Sequence, residues 1–459
     1  MGSLTASLSI VLQSLDADEG AIDVTTNNIA NANTPGYARQ VVNLADSAPV
    51  QYGGLTFGTG VTLQQATSVR DGVLQLRINQ ETAQSGQLDA FLGEMNQIQA
   101  VFNETGGVGL QQPLSAFYAS FQQLSTDPSD SSLRVGVLSA AQNLAEAFNQ
   151  ASAALTTQQS NLNLSVQQSV SQINELTSQV AQLNGTISGM TAAGEDASAF
   201  VNQRDVALQN LSTVIGVNVV QAGNGSYTIT TGNGAALVVG NQSFALTTQT
   251  NASTGVQDVY SQGQDITSAI TGGQLGGQIQ VRDQQIPSAL NQLDTLAAGV
   301  ANSVNTQSQA GYDLNGNPGV NFFTPPSASG AGAAAALQVA ISDPSLIAAS
   351  SDGTPGSNGN ANALAALANQ PSIGGLAPAA YYSGLVFQIG DSISNATAEQ
   401  TSVSQVLTQL QNQRGALSGV SLDEEAANLT KFQQAYDASA KVVTTIADLM
   451  DEAINLGQD

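Results

Sequence analysis

Residues 4–37 read LTASLSIVLQSLDADEGAIDVTTNNIANANTPGY, and the spacing of their apolar side chains sets the plan of the chain. Leu8, Leu15, Ile22 and Ile29 recur every seven residues, with Leu4 and Val11 on the adjacent row before Asp18 and Thr25 interrupt it. Such a repeat predicts one helix with a narrow seam that wants a partner helix. A stripe that narrow at a chain end is poorly stabilised by itself. The helix should stop near 31–34, because Pro35 disfavours helix at Thr34 and Gly36 invites a turn.

The opposite end mirrors it. Leu422, Leu429, Tyr436, Val443 and Met450 keep a seven-residue spacing, Phe432 and Ile446 lie on the neighbouring row, and Val442, Leu449 and Leu456 broaden the late part. Ser421 precedes Asp423, Glu424 and Glu425, which places acidic groups in a first turn, where the helix dipole favours them. Two terminal seams of matching period predict that the chain ends pack together.

Between them, 138–190 reads as a long helix. Leu155, Leu162, Leu176, Leu183 and Met190 hold the register with Ser169 as a polar gap, and Val166, Ile173, Val180 and Ile187 form a companion row. A further helix is expected at 284–308 (Leu290, Ala297, Val304, with Leu293 and Val300), and a less regular one at 383–417. Short β-favouring runs at 217–220, 226–231, 235–239 and 244–248 are separated by Gly-Asn-Gly turns at 223–225 and 232–234. Residues 325–336 and 350–362 have linker composition. The expected fold is mainly α with an inserted β-rich domain, its terminal and long coiled-coil helices forming a folded-back rod. The expected division is terminal helices at 1–34 and 420–459, a long-helix bundle at 35–204 and 283–419, and a β-rich insert at 205–282.

Composition narrows the function. The chain has 459 residues, with 34 Asp and Glu against 9 Lys and Arg, a formal charge of −25, and no Cys, His or Trp. So few cations argue against nucleic acid as a partner, because Lys and Arg must supply the phosphate contacts. Without Cys or His, the Ser-His-Asp and Cys-His triads, disulfides and thiolate metal sites are excluded. Charged residues make up only 9% of the chain, and a polar, weakly charged surface suits close-packed subunits. The first cation is Arg39, so residues 1–38 lack the positive region of a secretory signal, and no conventional export tag is expected. The longest low-polarity stretch, 330–341, is too short to span a bilayer. The polar face of 4–29 carries Asp16, Asp18, Glu19 and Asp23 and no cation, which disfavours a membrane surface.

Candidate chemistry is weak. Asp313, Asn315 and Asn317 have the spacing of the first calcium-loop ligands, but Pro318 stands where Gly is needed and Thr324 where the bidentate Glu is needed, so an Asn-Gly turn is the better reading. The Gly-rich run 106–109 leads into no Gly-Lys-Ser/Thr. Asp423, Glu424 and Glu425 are explained by a helix start, and Tyr37 and Tyr436 are the aromatic residues that could line a ligand pocket. No cofactor, metal or catalytic residue is expected.

The stretch Asn27-Asn28-Ile29-Ala30-Asn31-Ala32-Asn33-Thr34-Pro35-Gly36-Tyr37 is more specific than any periodicity. It resembles the signature of the bacterial flagellar rod, hook and hook-associated proteins, and the continuation Ala38-Arg39-Gln40 resembles the hook–filament junction members. Gln203-Arg204-Asp205, Gly273-Gln274-Leu275-Gly276-Gly277 with Arg282-Asp283, Gly311-Tyr312-Asp313-Leu314-Asn315-Gly316 through Phe322-Phe323, and Ser418 to Leu429 with Phe432 to Tyr436 are similar to further junction-type segments along nearly the whole chain. Two departures stand out. The His common upstream of Gly311 is replaced by Ser308 or Gln309, and an outer domain that larger members carry after the Phe-Phe segment gives way to the 325–336 stretch.

The resemblance implies a non-enzymatic structural adaptor between hook and filament, secreted by the flagellar type III apparatus. It implies an export chaperone on the C-terminal helix, and as neighbours a ring of identical subunits, the flagellar hook protein and the second hook–filament junction protein. The implied N-terminal interface is Leu4, Leu8, Val11, Leu15, Ile22, Asn28, Ile29, Asn31, Asn33, Pro35, Gly36 and Tyr37. The implied C-terminal assembly and chaperone interface is Leu422, Leu429, Phe432, Tyr436, Val443, Ile446 and Met450. A hook or rod subunit is the alternative in the same class. Other classes are a secreted acidic glycan-processing enzyme, for which no spacing indicates two facing carboxylates, and a free adhesion module, whose binding would survive loss of both ends.

Overall fold

The computed structural model describes residues 2–52, 55–104 and 109–455. Leu456 and residues 106–108 of the Gly-rich run lie outside them. Helix α1 (Gly2–Ala30) leads into an antiparallel ribbon in which β1 (Gln40–Asp46) pairs with β4 (Val61–Ser68), and β2 (Val50–Tyr52) with β3 (Leu55–Phe57). Next come α2 (Gly72–Val101), α3 (Gln111–Leu124), the 63-residue α4 (Ser131–Ala193) and α5 (Ser198–Val214). Strands β5 (Val217–Gln221), β6 (Tyr227–Thr231), β7 (Ala236–Val239) and β8 (Gln242–Ser243) form one sheet in chain order. A second sheet runs β11 (Gln264–Asp265), β10 (Gln257–Ser261), β9 (Leu246–Thr250). The chain returns through α6 (Gly273–Gln280), a π-helical turn Val281–Gln285, α7 (Ile286–Gln309), α8 (Ala333–Ala336), α9 (Gly359–Ala366), α10 (Pro378–Ser418) and α11 (Leu422–Asn455).

Local chemistry sets the long boundaries. Asp130 accepts from the N–H groups of Ser132 and Leu133 at 2.6 and 3.1 Å and starts α4, and Gly194 at φ +76° ends it. Along α4 the companion row is the deeper one: Val166, Ile173 and Val180 are wholly hidden and Ile187 nearly so. The polar gap has a use, since Ser169 hydrogen-bonds Gln278 on α6 at 2.9 Å.

Two large cores share α4. Its first half packs with α2, α3, α7, α9 and α10 around an aromatic knot of Phe117, Phe121, Phe322 and Phe323, ring centroids 5.1–5.9 Å apart. Its middle, from Val166 to Ala181, packs with α5, α6 and the inserted strands. The insert therefore takes part of its core from α4, and its two sheets are bracketed by the helical turns of α5 and α6 within 205–282.

Other sequence expectations need correction. Residues 40–52 and 55–68, expected in the long-helix bundle, form the β1–β4 ribbon against α1. Its strands do not alternate buried and exposed positions, so no period-two signal marked them. The two stretches of linker composition are docked. Asn149 donates to Ala334 O at 2.7 Å, Asp294 accepts from the N–H groups of Gly332 and Ala334, and Asn360 donates to Ala348 O. Asp313 shapes the Asn-Gly turn, accepting from the N–H groups of Asn315 and Asn317 at 2.8 Å each, with Gly316 at φ +76°.

Candidate assembly interface

Helix α1 lies between α11 on one side and the ribbon on the other. Its hidden side chains are Ala17, Ala21, Thr25 and Asn28, one per turn. Leu4, Leu8, Val11, Leu15, Ile22 and Ile29 flank that stripe, half-buried. Small residues on the contact line let a neighbouring helix come close, which the apolar spacing alone did not reveal. On the ribbon side Gly20 faces the end of the Leu63 side chain, which packs over it.

On α11 the inward line is Glu425, Phe432, Ser439 and Ile446, joined by half-buried Leu429, Val443 and Met450. Ser439 and Ser14 hydrogen-bond across the pair at 3.3 Å. Leu422 and Tyr436, expected in the seam, are 53% and 37% exposed. The seven-residue period was right and its phase was displaced, because the true line carries a Glu and a Ser that an apolar count passes over.

At the end of α1 the signature residues close a polar clasp. Asn28 donates to the Gln40 carbonyl (2.8 Å) and to Glu425 Oε2 (3.1 Å), and it accepts from the Gln40 N–H (2.9 Å) and the Tyr37 hydroxyl (2.8 Å). One buried amide, fully satisfied, thus ties α1 to the ribbon and to the first turn of α11. Burial pushes the Tyr37 hydroxyl pKa up, and the nearby carboxylates of Glu425 and Asp196 push the same way. Asn31 donates to the side chain and carbonyl of Asn27, and Thr34 donates to Asn31 at 3.1 Å, so these residues finish the helix end. Asn33 and Pro35 are exposed. Gly36 stands at φ +77°, where a Cβ would meet Val206 Cγ2 at 2.3 Å; the turn needs glycine both for its backbone and for its closeness to α5.

Arg39 extends the clasp. Its N–H donates to Ser418 O at 2.9 Å, and its guanidinium donates to Glu424 at 2.9 Å. Within the acidic triplet Glu424 pairs with Arg39, Glu425 is held by Asn28 with Arg39 3.9 Å away, and Asp423 is exposed. Arg70, just beyond the ribbon, bonds both Asp205 and Asn202 of α5. Buried Arg204 lies 3.5 Å over the Tyr227 ring and donates to Gly225 O at 2.6 Å, while wholly buried Arg282 donates to Asp283 and to Gln257 O. Two buried arginines therefore hold the insert near where the chain enters and leaves it, Arg204 through the Gly225 carbonyl and Arg282 through the Gln257 carbonyl. Among the described residues no group of three or more Asp or Glu gathers to hold a metal ion, and no helix is long and apolar enough to cross a membrane.

Comparison with known proteins agrees with this construction. The model for the flagellar hook-associated protein FlgK helical domain matches residues 95–323. The two ends match others: flagella basal body rod protein at 15–37, and flagellar basal body rod FlgEFG protein C-terminal at 413–456. Flagellar hook-associated protein 1 of Bacillus subtilis (strain 168) is 30% identical, aligned over 99% of both chains. Its namesakes in Escherichia coli (strain K12) and Salmonella typhimurium are each 26% identical over 99% of this chain and 100% of theirs. The solved flagellar hook junction protein FlgK of Burkholderia pseudomallei superposes with a TM-score of 0.66 at 19% identity, over 74% of this chain and 100% of that one, which establishes the shared fold.

Paired end helices of rod-protein type around a helical middle define a structural protein of the bacterial flagellum, in the class that assembles with other axial proteins. Within that class, the chain belongs to the flagellar hook-associated protein 1 family.

Proposed function

We propose that this chain is a non-catalytic subunit of the hook–filament junction. In this reading it is secreted through the flagellar type III apparatus, with an export chaperone holding α11. It forms a ring with identical subunits between the flagellar hook protein and the second hook–filament junction protein. Residues 1–34 and 420–459 line the inner tube together with the ribbon on α1, the bundle of 72–204 and 283–419 surrounds it, and the insert at 205–282 faces outward.

The observation that carries this reading is the clasp at Asn28, where Tyr37, Gln40 and Glu425 from both chain ends meet in one contact. The paired ends then expose Leu12, Leu422, Tyr436, Val442, Leu449 and Ile454 to solvent. Apolar groups on the outside of a helix pair suit contact with neighbouring subunits. The N-terminal set from Leu4 to Tyr37 and the C-terminal set from Leu422 to Met450 thus divide into residues that join the ends and residues that face outward. A hook or rod subunit would share the ends, but the helical middle matched at 95–323 favours the junction.

The test is complementation of a strain lacking its own junction protein, scored by electron microscopy of hooks and by recovery of the chain in the medium. Leu422→Asp with Leu449→Asp should abolish incorporation, with export scored separately because the chaperone is proposed to hold the same helix. Normal filaments from that double variant would remove the outer face of the pair as the assembly surface.

A further inference from the structure

Between the terminal unit and the body of the chain lies a cavity of about 790 Å³, walled by Asn33 to Ala38 and Gln65 to Ser68 on one side and by Arg204, Asp205, Gln411, Arg414 and Ser418 on the other. Among the described residues, the hydrophobic clusters include no side chain from α1, the ribbon or α11. Two short crossings join the parts covalently, at 69–71 and 419–421, and they lie together, since the Val69 N–H donates to Arg39 O and the Arg39 N–H to Ser418 O. Beyond these, the contact rests on Gly36 against Val206, on the Ala38 N–H to Asn202, and on Arg70 bonded to Asp205 and Asn202.

Asp205 uses only Oδ2 toward Arg70; its Oδ1 is buried without a hydrogen-bond partner. Arg414 lines the same cavity from α10, half-buried, and no hydrogen bond or ion pair engages it among the described residues. Arg414 and Asp205 both belong to the body, whereas Arg70 sits on the crossing to the terminal unit.

We propose that this region is a latched joint, in which Arg70 on Asp205 and Asn202 holds the terminal unit against the body and Arg414 is the second partner that takes Asp205 when the latch opens. The exchange keeps the carboxylate paired in both positions, so the terminal unit changes its angle without leaving a buried charge alone. Gly36 and Val206 form the pivot. The joint is a property of the single chain and does not depend on where in the flagellum it assembles.

The natural absence of Cys allows a direct test. Spin labels at Glu175→Cys on α4 and Gln433→Cys on α11, both exposed positions, report the angle by pulsed dipolar spectroscopy on the purified full chain. The parent should give one dominant distance. Arg70→Ala should raise the population at a second distance by roughly three- to tenfold, the range expected for loss of a half-buried ion pair. Arg70→Lys, which keeps the charge and loses the fork, should fall between. In that Lys background Arg414→Ala should move the population back toward the closed distance, because it removes the competitor for Asp205. If Arg414 only braced α10 against α5, the same change would broaden the distribution, and that result overturns the exchange. An unchanged distribution in Arg70→Ala, with unaltered circular dichroism, overturns the latch itself.

Discussion

In the insert the chain hides Ile229, Leu237, Val238 and Val259 completely, whereas along α1 the hidden side chains are Ala17, Ala21, Thr25 and Asn28. The first region is held by apolar burial against α4, the second by close approach of small residues and one saturated amide. Burying a large aliphatic side chain is worth about 1.5–3 kcal/mol and a hydrogen bond nets about 0.5–1.5. The insert therefore carries its stability within one chain. The end pair holds together more weakly and leaves apolar side chains such as Leu12, Val442 and Leu449 exposed. In the proposed junction role, a part that is exported and then fitted among neighbours gains from such marginal internal packing.

The comparison breaks most visibly in the insert. Val238→Asp places an unpaired carboxylate in a dry core between β7 and α4, and should cost about 3–5 kcal/mol of the main unfolding transition. Ile446→Asp on α11 should leave that transition nearly in place while removing amide-exchange protection from both end helices. If the two variants shifted the thermal transition equally, the end pair would be as strongly cored as the insert. Deletion of 205–282 should also be costly, because it strips the cover from Val166, Ile173 and Val180 on α4.

Asn28→Ala comes next. It removes one side chain that serves four hydrogen bonds and leaves Glu425 and the Gln40 backbone short of partners, so the clasp should weaken by about 1–3 kcal/mol. Hydrogen exchange at the first turns of α11 should accelerate accordingly, with the insert unaffected. Loss of protection spread evenly over the chain would mean that the clasp is not a local lock.

The stretches that sequence could decode are those where one chemistry repeats. The long register of α4 and the Gly-Asn-Gly turns of the insert were legible because period and turn residues act locally. The signature from Asn27 to Tyr37 was legible as a resemblance, but not its geometry: no local rule says that Asn28 reaches Glu425 across 397 positions. The ribbon was missed because half-exposed strands lack alternation. The phase of α11 was misplaced because Glu425 and Ser439 are inward by virtue of their partners, Asn28 and Ser14, which lie at the other end of the chain. Long-range polar pairing is what an apolar pattern cannot encode.

A smaller effect concerns pH at the joint. Burial raises the Asp205 pKa above its ordinary 3.8 despite the opposing charges of Arg70, Arg204 and Arg414. For a carboxyl whose folded value is raised, the stabilisation it contributes is fully present below the unfolded value and is lost as pH rises through the folded one. Asp205→Asn should therefore flatten the stability profile across that window and change neutral-pH stability by no more than about 1 kcal/mol, because loss of the ion pair and relief of the burial penalty oppose each other. Chemical denaturation at a series of pH values, with the parent alongside, reads the difference. A shallower acid loss in the variant than in the parent would mean that the ion pair outweighs burial.

The smallest effect is at Leu422. Because it is 53% exposed, Leu422→Ser in the isolated chain should alter stability by no more than about 0.5 kcal/mol, as surface substitutions do. Leu429→Ser, half-buried about two turns further on, should cost about 1 kcal/mol or more in the end pair, since it removes apolar packing on the inner side of α11. The two positions share the seven-residue row read from the sequence, so a seam centred on that row would make them equivalent. Amide exchange along α11 in both variants separates the two phases. Equal losses at 422 and 429 would restore the row of Leu422 and Tyr436 as the contact line, and unequal losses place the line through Glu425, Phe432 and Ile446.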